Sequence, residues 1–367
     1  MSMSAVEWKK LGEVCEVIVP PTKIGSSSYS EIGMYPIIDQ GQKNVVGYTN
    51  DEGTLLPENE YVLFGDHTRY VKYYNGRFAQ GADGLKILAT KDEINTKYFF
   101  YTFANIDIPS RGYSRHWSIA KELEIPIPSL AKQQEIVSHL DTFTTLISNL
   151  ESELDMRRKQ YEHYRNQLLD FEGVEGVEWK TLVEVGEFVR GNGIQKKDFV
   201  EDGYGCIHYG QVYTQFDLLA YETITGIEKA LYDKCRKAKC GDIVLATTSE
   251  NLEDVAKPVI WLGEEEIAVS GDAFIYKHNQ NPIFIGSQFL TERFSKFKGM
   301  NAKGAKVIRI TGDSMAEYKI ALPSLEKQNE IAEGIKSFEN IIQSLEQEIK
   351  LRKQQYEYYR EKLLTFE

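Results

Sequence analysis

Two stretches of the chain carry a hydrophobic pattern unlike anything around them. Ile136, Leu140, Phe143, Ile147, Leu150, Leu154, Arg157, Tyr161, Tyr164, Leu168 and Phe171 follow one another in alternating steps of four and three. Ile331, Ile335, Phe338, Ile342, Leu345, Ile349, Arg352, Tyr356, Tyr359, Leu363 and Phe366 do the same. A 3.5-residue period held this long predicts a coiled-coil seam, because it keeps one apolar stripe of a helix facing a partner helix. Ser129 and Ser324, each behind a proline, can cap the helix starts, although lysine at the third helical position denies both a capping box. At 1.5 Å per residue each seam would run roughly 54 Å.

Elsewhere the pattern is short and β-rich. Tyr61–Phe64, Lys86–Leu88, Ile243–Ala246, Val259–Leu262 and Lys306–Ile310 read as strands, separated by glycine and polar clusters. Tyr98–Asn105 and Ile283–Phe294 read as shorter helices.

The chain is also an internal repeat. Of the 45 positions in 128–172, 22 are identical to those 195 further on, in 323–367. A second echo, Val6-Glu7-Trp8-Lys9-x-Leu11 against Val177-Glu178-Trp179-Lys180-x-Leu182, has an offset of 171. The order is therefore variable unit 1–127, helix 128–172, variable unit 173–322, helix 323–367. Further echoes, Ile37-x3-Gly41-Gln42 with Ile207-x2-Gly210-Gln211 and Ala82-Asp83-Gly84 with Gly271-Asp272-Ala273, give the two units one fold. If each compact domain has its termini close together, the two helices must run antiparallel. The expected fold class is α+β: two α/β domains at opposite ends of an antiparallel two-helix coiled coil, related by a pseudo-two-fold axis. Arg157 and Arg352 would sit near its centre as register-setting residues, each with a glutamate four residues earlier, Glu153 and Glu348.

Charge changes the picture locally rather than globally. The net charge is −12, and each of the four segments is acidic, so nothing here grips nucleic acid by bulk electrostatics. Within the units, however, basic and aromatic residues cluster without acids. Residues 67–82 hold His67, Thr68, Arg69 and Lys72 among tyrosines; residues 109–121 hold Arg111, Tyr113, Arg115 and His116; residues 293–312 hold Lys296, Lys298, Lys303 and Lys306. Cations interleaved with aromatics and glycine turns suit phosphate contact and base-edge reading. The polar loops 65–69 and 247–251 follow matched strands, where a scaffold presents reading side chains, which adds Thr247, Ser249 and Asn251 to the DNA-binding candidates. Glu250 and Asn251 could read cytosine and adenine edges or merely cap a turn.

Catalytic signatures are missing. There is no phosphate-binding glycine loop, no S-adenosylmethionine fingerprint after a strand, and no aromatic after the one Pro-Pro, at Pro20-Pro21. The six histidines show no pair at metal-ligand spacing, and four cysteines are too few for a disulfide scaffold. The start lacks the apolar core of a signal peptide and no run is long enough for a bilayer, so a reduced cytoplasm is expected, with no membrane contact.

Two motifs, each present twice, carry a family resemblance. Trp8-x2-Leu11-Gly12-Glu13-Val14 and Trp179-x2-Leu182-x-Glu184-Val185 open the variable units. Ile125-Pro126-Ile127-Pro128-Ser129-Leu130-x2-Gln133 and Ala321-Leu322-Pro323-Ser324-Leu325-x2-Gln328 lead into the helices. In this order, separated by heptads, they resemble the specificity subunit of type I restriction–modification enzymes over essentially the whole chain. The resemblance implies two target recognition domains, each reading half of a split site in double-stranded DNA, with the helices as spacer. It implies docking of two adenine-N6 methyltransferase subunits and addition of motor–nuclease subunits. The chain itself would hold no cofactor, metal or catalytic residue, S-adenosylmethionine and ATP belonging to the partners. Two other readings stay open: a specificity subunit for a fused methyltransferase–nuclease, and a two-headed adaptor that binds proteins.

Overall fold

The computed structural model of the chain describes residues 6–112 and 114–366. It divides into two compact units, one of residues 1–151 with 348–367, the other of residues 152–347. The end residues of the second unit, 152 and 347, are 195 apart, the offset of the helical repeat.

In the first unit the order is β1 (Glu7–Lys10), α1 (Leu11–Val14), β2 (Cys15–Ile18), β3 (Tyr35–Ile38), β4 (Gly47–Thr49), β5 (Asn59–Gly65), β6 (Val71–Gly76), β7 (Ala79–Gln80) and β8 (Leu85–Thr90). There follow α2 (Thr96–Ala104), α3 (Trp117–Ala120), β9 (Glu124–Ile127) and the start of α4 (Leu130–Leu168). An antiparallel sheet has the order β2-β8-β5-β6; a second has β4-β3-β7, with β3 and β7 parallel; β1 pairs antiparallel with β9.

The second unit, after the end of α4, runs β10 (Glu178–Thr181), α5 (Leu182–Val185), β11 (Gly186–Arg190), β12 (Phe199–Val200), β13 (Tyr204–Ile207), α6 (Tyr209–Thr214), β14 (Leu219–Ala220) and β15 (Thr225–Ile227). Next come α7 (Lys229–Tyr232), β16 (Lys237–Ala238), β17 (Ile243–Ala246), β18 (Thr248–Ser249), β19 (Lys257–Trp261), β20 (Ile267–Val269) and β21 (Ala273–His278). It closes with α8 (Pro282–Gln288), α9 (Glu292–Asn301), β22 (Ile308–Arg309), α10 (Gly312–Ala316), β23 (Lys319–Leu322) and the first part of α11 (Leu325–Leu364). Its sheets repeat those of the first unit: β11-β21-β17-β19 matches β2-β8-β5-β6, β15-β13-β20 matches β4-β3-β7 with β13 and β20 parallel, and β10–β23 matches β1–β9. The fold is α+β, built twice.

Both sequence motifs have structural reasons. Leu11 and Leu182 are fully buried, and the following glutamate folds back on the chain: Glu13 accepts from the Lys10 amide at 3.2 Å, Glu184 from the Thr181 amide at 2.7 Å. Gln133 is fully buried; its Nε2 donates to the Pro128 carbonyl at 2.9 Å and its Oε1 accepts from the Asn95 amide at 2.8 Å. Gln328 does the same with Pro323 at 2.9 Å and Asn281 at 3.2 Å. Asn95 and Asn281 are the N-caps of α2 and α8, so one glutamine locks each long helix to the short helix of its domain. Ser129 and Ser324 cap α4 and α11, accepting from Lys132 and Lys327 at 3.4 and 3.3 Å.

The long helices pair antiparallel within each unit. In the first, Phe143 stacks on Tyr359, Glu151 meets Lys353 at 2.7 Å, and Leu364 is buried with Ile136, Val137 and Leu140. In the second, Arg158 pairs with Glu346, Tyr161 and Tyr164 stack on Phe338, and Leu168 lies over Gly334. Numbers rise on α4 as they fall on α11 in both. Ile136, Leu140, Tyr161, Ile331, Ile335, Ile342 and Ile349 are buried, while Phe143, Ile147, Leu150, Leu154, Phe338, Leu345 and Tyr356 are half-buried. Arg157 meets Glu153 at 3.4 Å and Arg352 meets Glu348 at 2.8 Å.

Three expectations change. At the end of α4 the period departs from the seam: Leu169 is buried and Leu168 is 37 % exposed, because the last turn packs on its own domain beside Phe284. Ile283–Phe294 is two helices, since Thr291 accepts from the Phe294 amide at 3.2 Å and starts α9 afresh. Of Lys306–Ile310 only Ile308–Arg309 is strand, paired with Thr248–Ser249; Lys306 and Val307 lie on an exposed turn and Ile310 is buried in the core. Among the described residues no helix is long and apolar enough to cross a membrane, and no group of three His, Cys, Asp or Glu could hold a metal ion.

Candidate nucleic-acid interface

In the first unit the candidate residues lie on the loop that follows β5, on β6 (Lys72) and on the segment before α3, beside the loops that follow β3 and precede β8. Gln40 joins three of these: its Nε2 donates to the Asp83 carbonyl at 3.1 Å, its Oε1 accepts from the His67 amide at 3.2 Å, and its carbonyl accepts from Thr68 Oγ1 at 2.5 Å. Gly65 lets this happen, because a Cβ there would strike Thr68 Oγ1 and the Gln40 carbonyl. Arg69 closes the turn at φ +65, a left-handed conformation, and its guanidinium donates to the Ile108 carbonyl at 2.7 Å. Gln42 donates to the Tyr70 hydroxyl.

Several candidates are thereby committed to the scaffold. Lys72 is buried, with Nζ at 3.0 and 2.5 Å from the carbonyls of Asp39 and Lys43, and burial lowers its pKa. His116 is fully buried: Nδ1 lies 2.9 Å from the Asp66 carbonyl and Nε2 accepts from the Arg111 amide at 3.1 Å. Both side chains are spent on carbonyls and amides inside the domain. Arg111 and Arg115 are exposed, His67 and Thr68 half-buried, and Tyr113 lies outside the described residues.

In the second unit the corresponding loops surround a cleft of about 690 Å³. Its walls include Lys196, His208, Tyr209, Gln211, Thr248, Ser249, Glu250, Asn251 and Val307. The helix α6, absent from the first unit, forms one wall. Gln211 Oε1 accepts from the His208 amide at 2.9 Å and its Nε2 donates to Thr225 Oγ1 at 3.1 Å. Tyr213 reaches across with its hydroxyl 2.8 and 2.7 Å from the carbonyls of Ala246 and Thr248, fixing α6 to the opposite wall. Burial, and after it the charge of Lys196, lowers the pKa of His208, keeping the imidazole neutral while Nδ1 accepts from the Gly210 amide at 3.2 Å.

Here too burial sorts the candidates. Thr247 is buried, its Oγ1 donating to the Asp272 carbonyl at 3.2 Å. Lys298 is buried with Nζ at 2.5 and 3.1 Å from the carbonyls of Glu253 and Val255, and burial lowers its pKa. Ser249 lines the cleft but accepts from the Asn251 amide at 3.4 Å, and Asn251 spends both ends of its amide on Asp254, at 2.7 and 2.8 Å. Lys303 and Lys306 are exposed on the turn that holds Val307 at the cleft. Lys296 is exposed but lines a separate hollow with Asn166, Asp170 and Arg293.

One arrangement is common to both units. The His116 amide donates to the Asp66 carbonyl at 2.8 Å, and the Ile310 amide donates to the Thr247 carbonyl at 3.2 Å. Asp66 and Thr247 are the residues that follow the central strands β5 and β17, so each unit straps its basic segment against the same loop. Tyr209, Gln211, Tyr213 and Lys196 were not among the sequence candidates. Their signal was the Gly-Gln echo at 41–42 and 210–211, which marks the same loop in both units and reads from sequence as a fold element.

Comparison with known proteins meets this geometry. A family model described as the type I restriction modification DNA specificity domain matches residues 3–156 and again 175–351. The chain is 28 % identical over 383 residues to the specificity subunit of the type I restriction enzyme EcoR124I/EcoR124II of Escherichia coli, covering 98 % of this chain and 94 % of that one. It is 27 % identical over 391 residues to a putative type I restriction enzyme specificity subunit of Haemophilus influenzae, covering 99 % and 96 %. A crystal structure of a type I restriction–modification S subunit from M. genitalium superposes with a TM-score of 0.65 at 14 % identity, over 100 % of this chain and 99 % of that one. A chain from a study of assembly and conformational transition in a type I system gives 0.56 at 13 % identity, over 98 % and 97 %. With the domain matched twice and nearly the whole chain aligned, this protein belongs to the type I restriction–modification DNA specificity family.

Proposed function

We propose that each unit reads one half of a split site in double-stranded DNA and that the chain does this inside a methylation and restriction complex. The observation that carries the reading is the shared strap: in both units a basic segment is tied by a backbone hydrogen bond to the residue leaving the central strand. Such a segment supplies phosphate contacts beside polar loops that face base edges. The acidic net charge of −12 fits a subunit that contributes readers while partners share the grip on the backbone. In this reading the chain is non-catalytic and docks two adenine-N6 methyltransferase subunits, with motor–nuclease subunits joining the full complex. S-adenosylmethionine and ATP bind those partners.

The test is a comparison of adenine methylation across the genomes of cells with and without the gene. A two-part motif that disappears with the gene is expected. Identical methylation in both would sink the proposal.

A further inference from the structure

We propose that Glu250 is a base-reading residue of the second unit, accepting a hydrogen bond from the exocyclic amino group of a cytosine in the half-site that unit covers. This rests on the DNA-reading function proposed above. The loop 247–251 forms one wall of the cleft, and its polar side chains are almost all occupied. Thr247 is tied to Asp272, Ser249 takes the Asn251 amide, and Asn251 is closed on Asp254. Within this loop Glu250 is exposed at the cleft and makes no hydrogen bond or ion pair with any described residue. The structure thus separates two neighbours that sequence leaves equivalent: Asn251 builds the turn, and Glu250 is presented by it.

What surrounds Glu250 narrows what it can meet. Ser249 pairs with Ile308 in antiparallel register, which brings Glu250 alongside Val307 and the exposed turn carrying Lys303 and Lys306, with Lys196 on the same cleft. Those cations draw phosphates to the rim. A carboxylate accepts hydrogen bonds and donates none, and a phosphate repels it, so its favourable partners on a duplex are the amino groups at base edges. Between the two amino groups in the major groove, adenine sets the N7 acceptor beside its N6 donor, which opposes the second carboxylate oxygen. Cytosine sets a C–H there instead. The loop is also held in advance: Tyr213 braces the carbonyls of Ala246 and Thr248, and the Ile310 amide braces Thr247. A carboxylate on a braced turn discriminates by position, as a reader must.

The experiment is selection of bound duplexes from a randomised library by the complete complex, as wild type, Glu250→Gln and Lys306→Ala, at lowered salt so that weakened complexes are still captured. For Glu250→Gln we expect one position in one half-site to move from cytosine toward adenine, since glutamine offers both donor and acceptor, with discrimination at that position falling on the order of 10-fold. The other half-site stays unchanged. Lys306→Ala weakens all sequences alike. An unaltered consensus with Glu250→Gln, or a uniform loss of binding by a complex that still unfolds at the wild-type temperature, overturns the role of Glu250 while leaving DNA reading intact. A wild-type complex that selects no consensus overturns the underlying reading instead.

Discussion

Lys298 and Lys306 belong to one acid-free basic run, and in the folded chain they do different work. Lys298 holds the carbonyls of Glu253 and Val255 from inside the domain, so Lys298→Ala leaves one part-buried and one buried acceptor unmet. We expect it to lower unfolding stability by about 1–3 kcal/mol and to leave the salt dependence of DNA binding by the complex unchanged. Lys306→Ala is expected to do the reverse, reducing the slope of log affinity against log salt by roughly one with little change in melting temperature. Equal effects from the two would contradict this division. Sequence exposes the basic run and hides the division, because lysine burial depends on carbonyls contributed by a loop some 45 residues away. His278 shows the same limit. In sequence it is one of six scattered histidines, yet burial pushes its pKa down to about 4, with Nδ1 accepting from the Gln280 amide at 3.2 Å and Nε2 without a partner among the described residues. The unfolded chain, with an ordinary histidine near 6.5, takes up the proton first. Stability is therefore full above about pH 6.5 and falls as pH drops toward about 4, by on the order of 3 kcal/mol. His278→Asn should flatten that limb in thermal unfolding measured across pH; an unchanged limb would place the acid sensitivity elsewhere.

At the scale of elements, the long helices were legible because their period is written over many turns, and the strands at Tyr61–Phe64, Ile243–Ala246 and Val259–Trp261 because their apolar runs are buried. What escaped were junctions. The break between α8 and α9 depends on a single Thr291 hydroxyl, and the seam leaves its period at Leu169 because a domain core, not the facing helix, receives that side chain. The Pro-Ser-Leu-x2-Gln motif was visible as a repeat, but its purpose needed coordinates. Gln133 and Gln328 each satisfy a helix-cap amide and a carbonyl at the head of a long helix. Gln328→Leu keeps the volume and removes the bonds, so a loss of about 1–3 kcal/mol is expected, with Gln133→Leu matching it. Hydrogen exchange should speed up at the Asn281 or Asn95 amide in each case. Exchange unaltered there would mean the glutamines merely fill space.

The whole molecule repeats one fold, yet its two units are strung differently on the chain. The second is a single run, 152–347, that contains both of its helix segments; the first is assembled from 1–151 and 348–367. This follows from an antiparallel pairing of two helices that each serve both units. Its consequence is an asymmetry in folding that neither half of the repeat reveals alone. In the second unit Tyr161, Leu169, Ile331, Ile335 and Ile342 share one core with the domain, so all its apolar partners are on one fragment. In the first, Leu364 is buried with Ile136, Leu140 and Tyr101, and Tyr356, Leu363 and Phe366 pack on the same cluster. Residues 1–151 alone leave that cluster open, at a cost of about 1.5–3 kcal/mol for each large side chain returned to water. A fragment of residues 152–347 should therefore unfold in one cooperative transition. A fragment of 1–151 should do so only when 348–367 is supplied, as a peptide or joined ahead of residue 6 through a flexible linker. If 1–151 melts cooperatively and is indifferent to the peptide, the C-terminal helix does not belong energetically to the unit on which it lies, and the antiparallel exchange of helices has no part in holding the first unit together.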